Sequence, residues 1–151
     1  MRACIVLGIA LLATTATARA EPAAFDYAAA GRVDRLQKEL ARDPQLLNTR
    51  NAQGETLLLV AAAKNQRRII AVLLMENKAD ADATGADGAT ALHRAAAEGN
   101  LETASLLVAL GAGTHVKDRT GRTPGELARR GGYASLADLL DNAICAMPPA
   151  K

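Results

Sequence analysis

The 151-residue sequence predicts an all-α fold, built as a stack of helix pairs, and two observations lead to this prediction. Half of the residues are hydrophobic, but there is no Trp and the only aromatic residues are Phe25, Tyr27 and Tyr133. A core made mainly of alanine and leucine suits closely packed helices, because both residues favour helix and alanine lets backbones approach. The second observation is an internal repeat of about 33 residues, a length typical of stacked helical units.

The repeat is found by aligning Gly54, Gly88 and Gly121, which follow one another at nearly equal spacing along the chain. These glycines begin the segments GETLLLVAAAKN, GATALHRAAAEGN and GRTPGELARRGG, and each segment is followed by a second apolar one. A more divergent copy precedes them, with Gly31 at the position of Gly99. Each unit is therefore predicted to contain two short antiparallel helices and a hairpin-like link. Helices this short persist only when neighbouring units cover them.

Threonines and small residues mark the ends of the first helix in each unit. Thr56, Thr90 and Thr123 are placed to cap its start, because their hydroxyls accept hydrogen bonds from otherwise unpaired amides. Pro124 follows at the first helical position, where a missing N–H costs little. The predicted helix ends, which tolerate a left-handed turn, are Asn65, Gly99, and Gly131 with Gly132.

On these residues the chain resembles the ankyrin repeat, whose units of about 33 residues carry a T-P-L-H-x-A-like turn. The third unit matches at Thr90, Ala91, Leu92, His93, Ala95, Ala96, Gly99, Leu106, Leu107, Gly111 and Ala112. The second unit departs from the pattern at Leu57 and Leu59, and it carries one extra residue near Asn77. The fourth unit has Gly125 and Glu126 in place of leucine and histidine, as expected of a terminal cap that faces solvent.

The resemblance covers about residues 25–142 and implies an ankyrin-repeat solenoid of about four helix-turn-helix units within residues 21–146. The units are expected at about residues 24–50, 51–84, 85–117 and 118–146. The longest link, ARDPQLLNTRNAQG, is interrupted by proline and is expected to lead from the first helix pair into the first regular hairpin. The tail at residues 147–151 contains two prolines and is expected to be disordered.

The first twenty residues have the pattern of a signal peptide that is removed from the mature protein. A basic start at Arg2 is followed by an apolar run over residues 3–13 and an A-x-A pattern at residues 18–20. This pattern predicts cleavage before Glu21. A retained membrane anchor is the alternative, but the apolar run is about half of the ~20 residues that a spanning helix needs. We therefore expect no membrane insertion after cleavage.

Removal of the signal leaves the mature chain without net charge. The sequence has 18 Lys and Arg against 16 Asp and Glu, and Arg2 and Arg19 leave with the signal, so 16 of each remain. Such a chain is a poor nucleic-acid ligand, because phosphate binding needs a cationic surface and base stacking needs aromatic rings. It also lacks the polybasic segment that would hold it on an anionic membrane. Neither nucleic acid nor membrane is expected as a partner.

The sequence offers little to catalysis, and we expect no active site, cofactor or metal. The resemblance places His93 where the family's histidine hydrogen-bonds near the turn, and His115 lies in a link where solvent contact is expected. Once Cys4 leaves with the signal, Cys145 is the single cysteine, and no acids stand at regular ligand spacing, which argues against a zinc site. Cys145 is either a reactive or intermolecular thiol or a small apolar side chain covering the end of the stack.

Members of the ankyrin-repeat family bind other proteins on a concave face formed by the hairpin links and the exposed side of each first helix. Mapped onto this sequence, that face implies nine partner-binding residues: Gln53, Glu55, Lys64, Asp87, Arg94, Glu98, Arg119, Arg122 and Arg130. Their charge changes from mixed to positive along the stack. We expect the arginine end to bind an acidic patch on a partner, since guanidinium groups suit bidentate contacts to carboxylates. The alternative is a solvated polar surface that keeps the array soluble.

Together these features predict an exported, monomeric and non-catalytic protein-binding scaffold in the periplasm of a bacterium. Some proteins that it resembles assist envelope enzymes or stress defences, so an accessory role towards a periplasmic enzyme such as a catalase is a narrower expectation. Two alternatives stay open. A secreted effector would use the same fold to bind a host protein, and a redox protein would depend on the thiol of Cys145.

Overall fold

The computed structural model describes residues 23–146, with the backbone alone for residues 144–146. Within these residues, eight α-helices follow one another: α1 (Ala23–Ala30), α2 (Val33–Arg42), α3 (Leu57–Ala63), α4 (Arg67–Ala71), α5 (Ala91–Ala97), α6 (Leu101–Ala109), α7 (Pro124–Arg130) and α8 (Ala134–Ala146). No strand occurs within residues 23–146, which confirms the predicted all-α fold. The predicted signal peptide at residues 1–20, the tail at residues 147–151 and the side chain of Cys145 lie outside the described residues.

The helices stack in two rows, and their main contacts are between neighbours. In the first row, α1, α3, α5 and α7 pack one on the next, while α4, α6 and α8 do the same in the second. Each first-row helix also packs against the helix that follows it, and we call such a pair a unit. Ala28, Ala62 and Ala96 hold the same position in successive units and are fully buried in the first row. Their small side chains allow the close helix approach that the composition predicted.

The hairpin links that precede α3, α5 and α7 share one backbone hydrogen-bond pattern. In each link an N–H is donated to the carbonyl oxygen four residues later: Asn51 to Glu55 at 3.0 Å, Gly85 to Ala89 at 2.8 Å, and Asp118 to Arg122 at 3.0 Å. Gly88 lies inside this turn with φ of +75°, and a Cβ there would lie 2.9 Å from the amide nitrogen of Arg119. The turn therefore requires a glycine at this position.

The predicted helix caps and helix ends are confirmed. A threonine hydroxyl accepts from the amide three residues later in each case: Thr56 from Leu59 at 3.5 Å, Thr90 from His93 at 3.5 Å, and Thr123 from Glu126 at 3.3 Å. The first-row helices α3, α5 and α7 are followed by left-handed residues, which are Asn65, Gly99 and Gly132. Gly131, which the sequence grouped with Gly132, still has helical backbone angles.

The extra residue of the second unit is absorbed in a single wide helical turn. After α4 the chain forms a π-helical turn over Val72–Glu76, in which the amide of Asn77 donates to the carbonyl of Val72 at 3.2 Å. The turn leaves Met75 67% exposed. The two rows keep their spacing because the added length stays within this turn.

The longest link contains a short 3-10 helix over Pro44–Asn48, directly after the end of α2. The carboxylate of Asp43 caps this helix by accepting from the amide of Gln45 at 3.0 Å. The chain then enters the first regular hairpin at Asn51, as the sequence predicted. Within residues 23–146, no helix is both long enough and apolar enough to span a membrane.

Candidate protein-binding face

The nine predicted partner-binding residues lie in the three hairpin links or along the first-row helices, and they differ in exposure. Six are exposed: Gln53, Lys64, Asp87, Glu98, Arg119 and Arg130. The remaining three are half-buried: Glu55, Arg94 and Arg122. Six of the charged members form two groups, a paired group at the centre of the stack and an unpaired group of arginines at its end, and Lys64 and Glu98 belong to neither.

The paired group is an ion network around Arg94 on α5. One guanidinium nitrogen of Arg94 lies 2.7 Å from a carboxylate oxygen of Glu55 and 3.1 Å from one of Asp87. The side chains of Arg94 and Glu55 are 31% and 19% exposed, so solvent screens their attraction only in part. Three residues that were predicted to contact a partner are therefore paired with one another within the chain, and they join the second unit to the third.

The unpaired group consists of Arg119, Arg122 and Arg130 in the fourth unit. No carboxylate within the described part of the chain lies within 4.0 Å of their guanidinium groups. The backbone of this group is nevertheless held in place, because the amide of Arg119 donates to the carbonyl of Asp87 at 3.1 Å. Arg119 and Arg122 are therefore unpaired cations on a link that is anchored to its neighbour, and Arg130 is a third at the end of α7.

A shallow depression of about 440 Å³ lies between these side chains. It is lined by Arg122 and Arg130 together with Gly121, Glu126 and Arg129. Arg129 is engaged by an ion pair with Asp141 on α8. Sequence reasoning missed Glu126 and Arg129, although positions 122, 126 and 130 stand four residues apart and so fall on one side of a helix and its entry turn.

Asp118 organises the turn that carries the unpaired arginines. Its carboxylate oxygen accepts from the amides of Thr120 at 2.8 Å and Arg122 at 3.0 Å, and from the Thr120 hydroxyl at 2.6 Å. Partial burial acts to raise the pKa of the Asp118 carboxyl, but these hydrogen bonds outweigh it and hold the pKa below its ordinary value of 3.8. The charged carboxylate is therefore a stable part of this turn at neutral pH.

His93 connects the two groups from inside the stack. Its Nδ1 accepts from the amide of Thr90 at 3.1 Å, so the proton is on Nε2, which donates to the carbonyl of Arg122 at 3.0 Å. The side chain is 1% exposed. A buried imidazole with both nitrogens engaged has a structural function here, as the family resemblance implied.

His115 is exposed in the last link. Within residues 23–146, no group of three or more His, Cys, Asp or Glu side chains is placed to hold a metal ion.

Comparison with known proteins decides the family. A family model described as "Ankyrin repeats (3 copies)" matches residues 23–120 and 58–145. The chain belongs to the ankyrin-repeat family. Ankyrin repeats are a protein–protein interaction module and are generally non-catalytic, so this chain carries a module for binding protein.

Three similar relatives share the ankyrin-repeat region with this chain. Protein phosphatase 1 regulatory subunit 27 of Mus musculus is 43% identical over 63 residues, 42% of this chain and 41% of that protein. Potassium channel AKT3 of Oryza sativa subsp. japonica is 35% identical over 77 residues, 51% of this chain and 8% of the channel. Transient receptor potential cation channel subfamily V member 5 of Oryctolagus cuniculus is 40% identical over 77 residues, 51% of this chain and 9% of that protein. The chain thus spans less than half the length of each.

Proposed function

We propose that this ankyrin-repeat protein is a non-catalytic scaffold of the bacterial cell envelope that binds a partner protein through its concave face. The observation that carries the proposal is the unpaired group, Arg119, Arg122 and Arg130, at one end of that face. A regulatory subunit among its relatives supports a role in assisting another protein. The same geometry suits an accessory function towards an envelope enzyme or a stress defence.

The partner's contribution is an acidic surface patch. A guanidinium group binds a carboxylate through two parallel N–H···O contacts, and such charge-assisted contacts are the strong ones. The link that carries Arg119 and Arg122 is held by Asp118 and by the backbone contact to Asp87, so little backbone entropy is lost on binding. At the centre of the face Arg94 is already paired, so that region contributes to partner binding mainly through its complementary shape.

Location in the periplasm depends on the signal peptide expected at residues 1–20. Its support is the basic start at Arg2, the short apolar run and the A-x-A pattern before Glu21. Fractionation of cells that express the tagged protein tests this step. Recovery of a shortened chain in the periplasmic fraction is expected, and recovery in the cytoplasm at full length would contradict it.

The binding proposal is tested by charge reversal on the unpaired group. Residues 21–151 are crosslinked in native envelope extract, the recovered partner is purified, and its affinity is measured for the wild-type protein and for Arg119→Glu/Arg122→Glu. We expect at least a tenfold loss, about 1.4 kcal/mol or more, because both cations become anions facing the acidic patch.

Lys38→Glu/Arg42→Glu is the matched control, since it makes the same charge change at exposed positions on α2. This control is expected to keep affinity within about twofold, a change of about 0.4 kcal/mol. Equal losses in both double variants, or no loss in either, would contradict the proposal.

A further inference from the structure

A second basic depression lies at the opposite edge of the stack, between the first and second units. Its volume is about 450 Å³, and its lining consists of Gly31, Arg32, Val33, Asp34, Arg35 and Arg68. The hairpin links precede the first-row helices, whereas Gly31 lies in the short turn that follows α1. This arginine depression is therefore at the other end of the first-row helices from the hairpin links.

The described residues do not balance the charge of the arginine depression. Arg32, Arg35 and Arg68 are exposed, and no carboxylate within residues 23–146 lies within 4.0 Å of any of them. Nearby arginines on the same two helices are paired, Arg42 with Glu39 at 3.3 Å and Arg67 with Glu102 at 2.5 Å. With three arginines and one aspartate, the lining carries a net charge of +2.

The repeat explains why this junction is unbalanced. At the junction of the second and third units, Arg67 on α4 is paired with Glu102 on α6. Shifting both positions back by one repeat, the spacing from Gly54 to Gly88, gives Val33 and Arg68 at the junction of the first and second units. A cation, Arg68, thus stands where the next junction has the acid. The one acid in the lining, Asp34, lies within 4.0 Å of none of the three guanidinium groups, and a ligand can supply the carboxylates that they lack.

We infer that the arginine depression binds an acidic segment of a partner protein, through carboxylates that contact Arg32, Arg35 and Arg68. Two carboxylates on neighbouring side chains match the net charge of +2 and the spread of the guanidinium groups over α2 and α4. Asp34 in the same lining repels a phosphate dianion and carboxylates alike, so the choice of a carboxylate ligand depends on how the arginines are distributed and on the family. Protein binding is also what the family module provides.

This surface uses none of the residues of the concave face. The protein therefore has two basic surfaces, one at the last hairpin link and one at the first short turn, on opposite edges and at opposite ends of the stack. The inference goes beyond the proposed concave-face interaction, and each of the two can fail without the other.

The test is a fluorescence-anisotropy titration with a dye-labelled decapeptide of glycine and serine that carries four glutamates. The purified protein is compared with Arg35→Gln/Arg68→Gln, which removes two charges of the depression. We expect this variant to bind the peptide at least tenfold more weakly. Asp34→Asn is expected to bind about two- to threefold more tightly, because it removes the one repulsive charge of the lining.

Arg42→Gln/Arg67→Gln is the matched control, because it removes the same two charges from the same two helices but at paired positions. It should stay within twofold of the wild-type protein, and all variants should keep their melting temperature within a few degrees. Equal weakening in both double variants would overturn the inference, since it would show attraction to overall charge.

Two further outcomes would overturn the inference in distinguishable ways. Loss of peptide binding in Arg119→Gln/Arg122→Gln, with Arg35→Gln/Arg68→Gln unchanged, would move the site to the concave face and leave the proposed function standing. Binding of inorganic phosphate or of phosphatidylglycerol vesicles that depends on Arg35 and Arg68, with no binding of the peptide, would replace the protein ligand with a phosphate one.

Discussion

The centre and the end of the concave face each carry a half-buried arginine, and the two differ in whether the described residues supply a carboxylate partner. Arg94 and Arg122 are both half-buried arginines in adjacent units. Arg94 is held between the carboxylates of Glu55 and Asp87, whereas the guanidinium group of Arg122 has no carboxylate within 4.0 Å among the described residues. A charge that the chain already neutralises stabilises the stack, and a charge that it leaves unpaired is available to a partner. Composition alone does not separate the two.

The difference also changes how charge is distributed along the stack. The central network of Glu55, Asp87 and Arg94 has a net charge of −1, held among three side chains in close contact. The last unit presents Arg119, Arg122 and Arg130 without such partners. Along the concave face, the attraction on an approaching acidic protein is therefore greater at the last unit than at the central network.

The largest effect is expected from cutting the connection between the two regions, with His93→Ala. The substitution leaves the buried amide of Thr90 unsatisfied, which costs about 1–3 kcal/mol. It also removes one of the two hydrogen bonds that the carbonyl of Arg122 accepts, worth about 1 kcal/mol, while the bond from the amide of Asp118 remains. We expect the free energy of unfolding to fall by about 3 kcal/mol, measured by urea denaturation. His115→Ala, at the exposed histidine, should change it by no more than about 0.5 kcal/mol. A loss for His93→Ala as small as that of His115→Ala would mean that the two regions are not joined through this side chain.

The next largest effect separates the paired arginine from the unpaired one. Arg94→Gln removes the cation between Glu55 and Asp87, and because two of these side chains are largely shielded from solvent we expect a loss of about 1–2 kcal/mol. Arg130→Gln should change the free energy of unfolding by about 0.5 kcal/mol or less. Both are measured by urea denaturation at low and high salt, and the cost of Arg94→Gln should shrink at about 1 M NaCl. Equal costs for the two variants would remove the distinction between the groups.

The smallest effect is expected in the hairpin links that precede α3 and α7, which contain Glu55 and Arg122. In the first of these links the neutral side chain of Asn51 accepts from the amide of Glu55. In the other, the charged carboxylate of Asp118 accepts from the amide of Arg122. Because the pKa of Asp118 is lowered by folding, its contribution to stability is complete above about pH 4 and is lost as the pH falls through the folded-state pKa.

Asp118→Asn tests this contribution by giving the last turn the acceptor that the first turn has. Near neutral pH we expect it to cost about 0.5 kcal/mol or less. The difference from wild type should shrink as the pH falls below about 4, in thermal melts followed by circular dichroism over about pH 2.5 to 7. A difference that grew as the pH fell would contradict the direction of the pKa shift.

The sequence predicted the features that depend on local backbone chemistry. The threonine caps, the left-handed residues Asn65, Gly99 and Gly132, and the stacking of alanine faces all follow from requirements that one residue type meets best. The extra residue near Asn77 was also found by counting, although the π-helical turn that absorbs it was not predicted. These features repeat with the period and need no knowledge of side-chain contacts.

The pairing of charges could not be predicted in the same way. Glu55 and Arg94 belong to different units, and their contact depends on how one hairpin link sits beside the next helix and which rotamers the side chains adopt. The sequence analysis therefore predicted partner contacts for these charged residues without separating those that the chain pairs from those that it leaves unpaired. Counting by the repeat does give one usable signal, because Val33 and Arg68 fall at the positions of Arg67 and Glu102 and mark a junction where that ion pair has no counterpart. The boundaries of the four units stay a prediction.

The wide turn at Val72–Glu76 has a consequence for how the array tolerates changes in length. The π-helical turn accommodates one added residue in the second row, and the hairpin links on either side keep the same hydrogen-bond pattern. The wide turn takes up the extra length locally, so the units on either side are not displaced along the stack. The Gly88 turn lies against the backbone of Arg119, so an insertion there would not be accommodated locally.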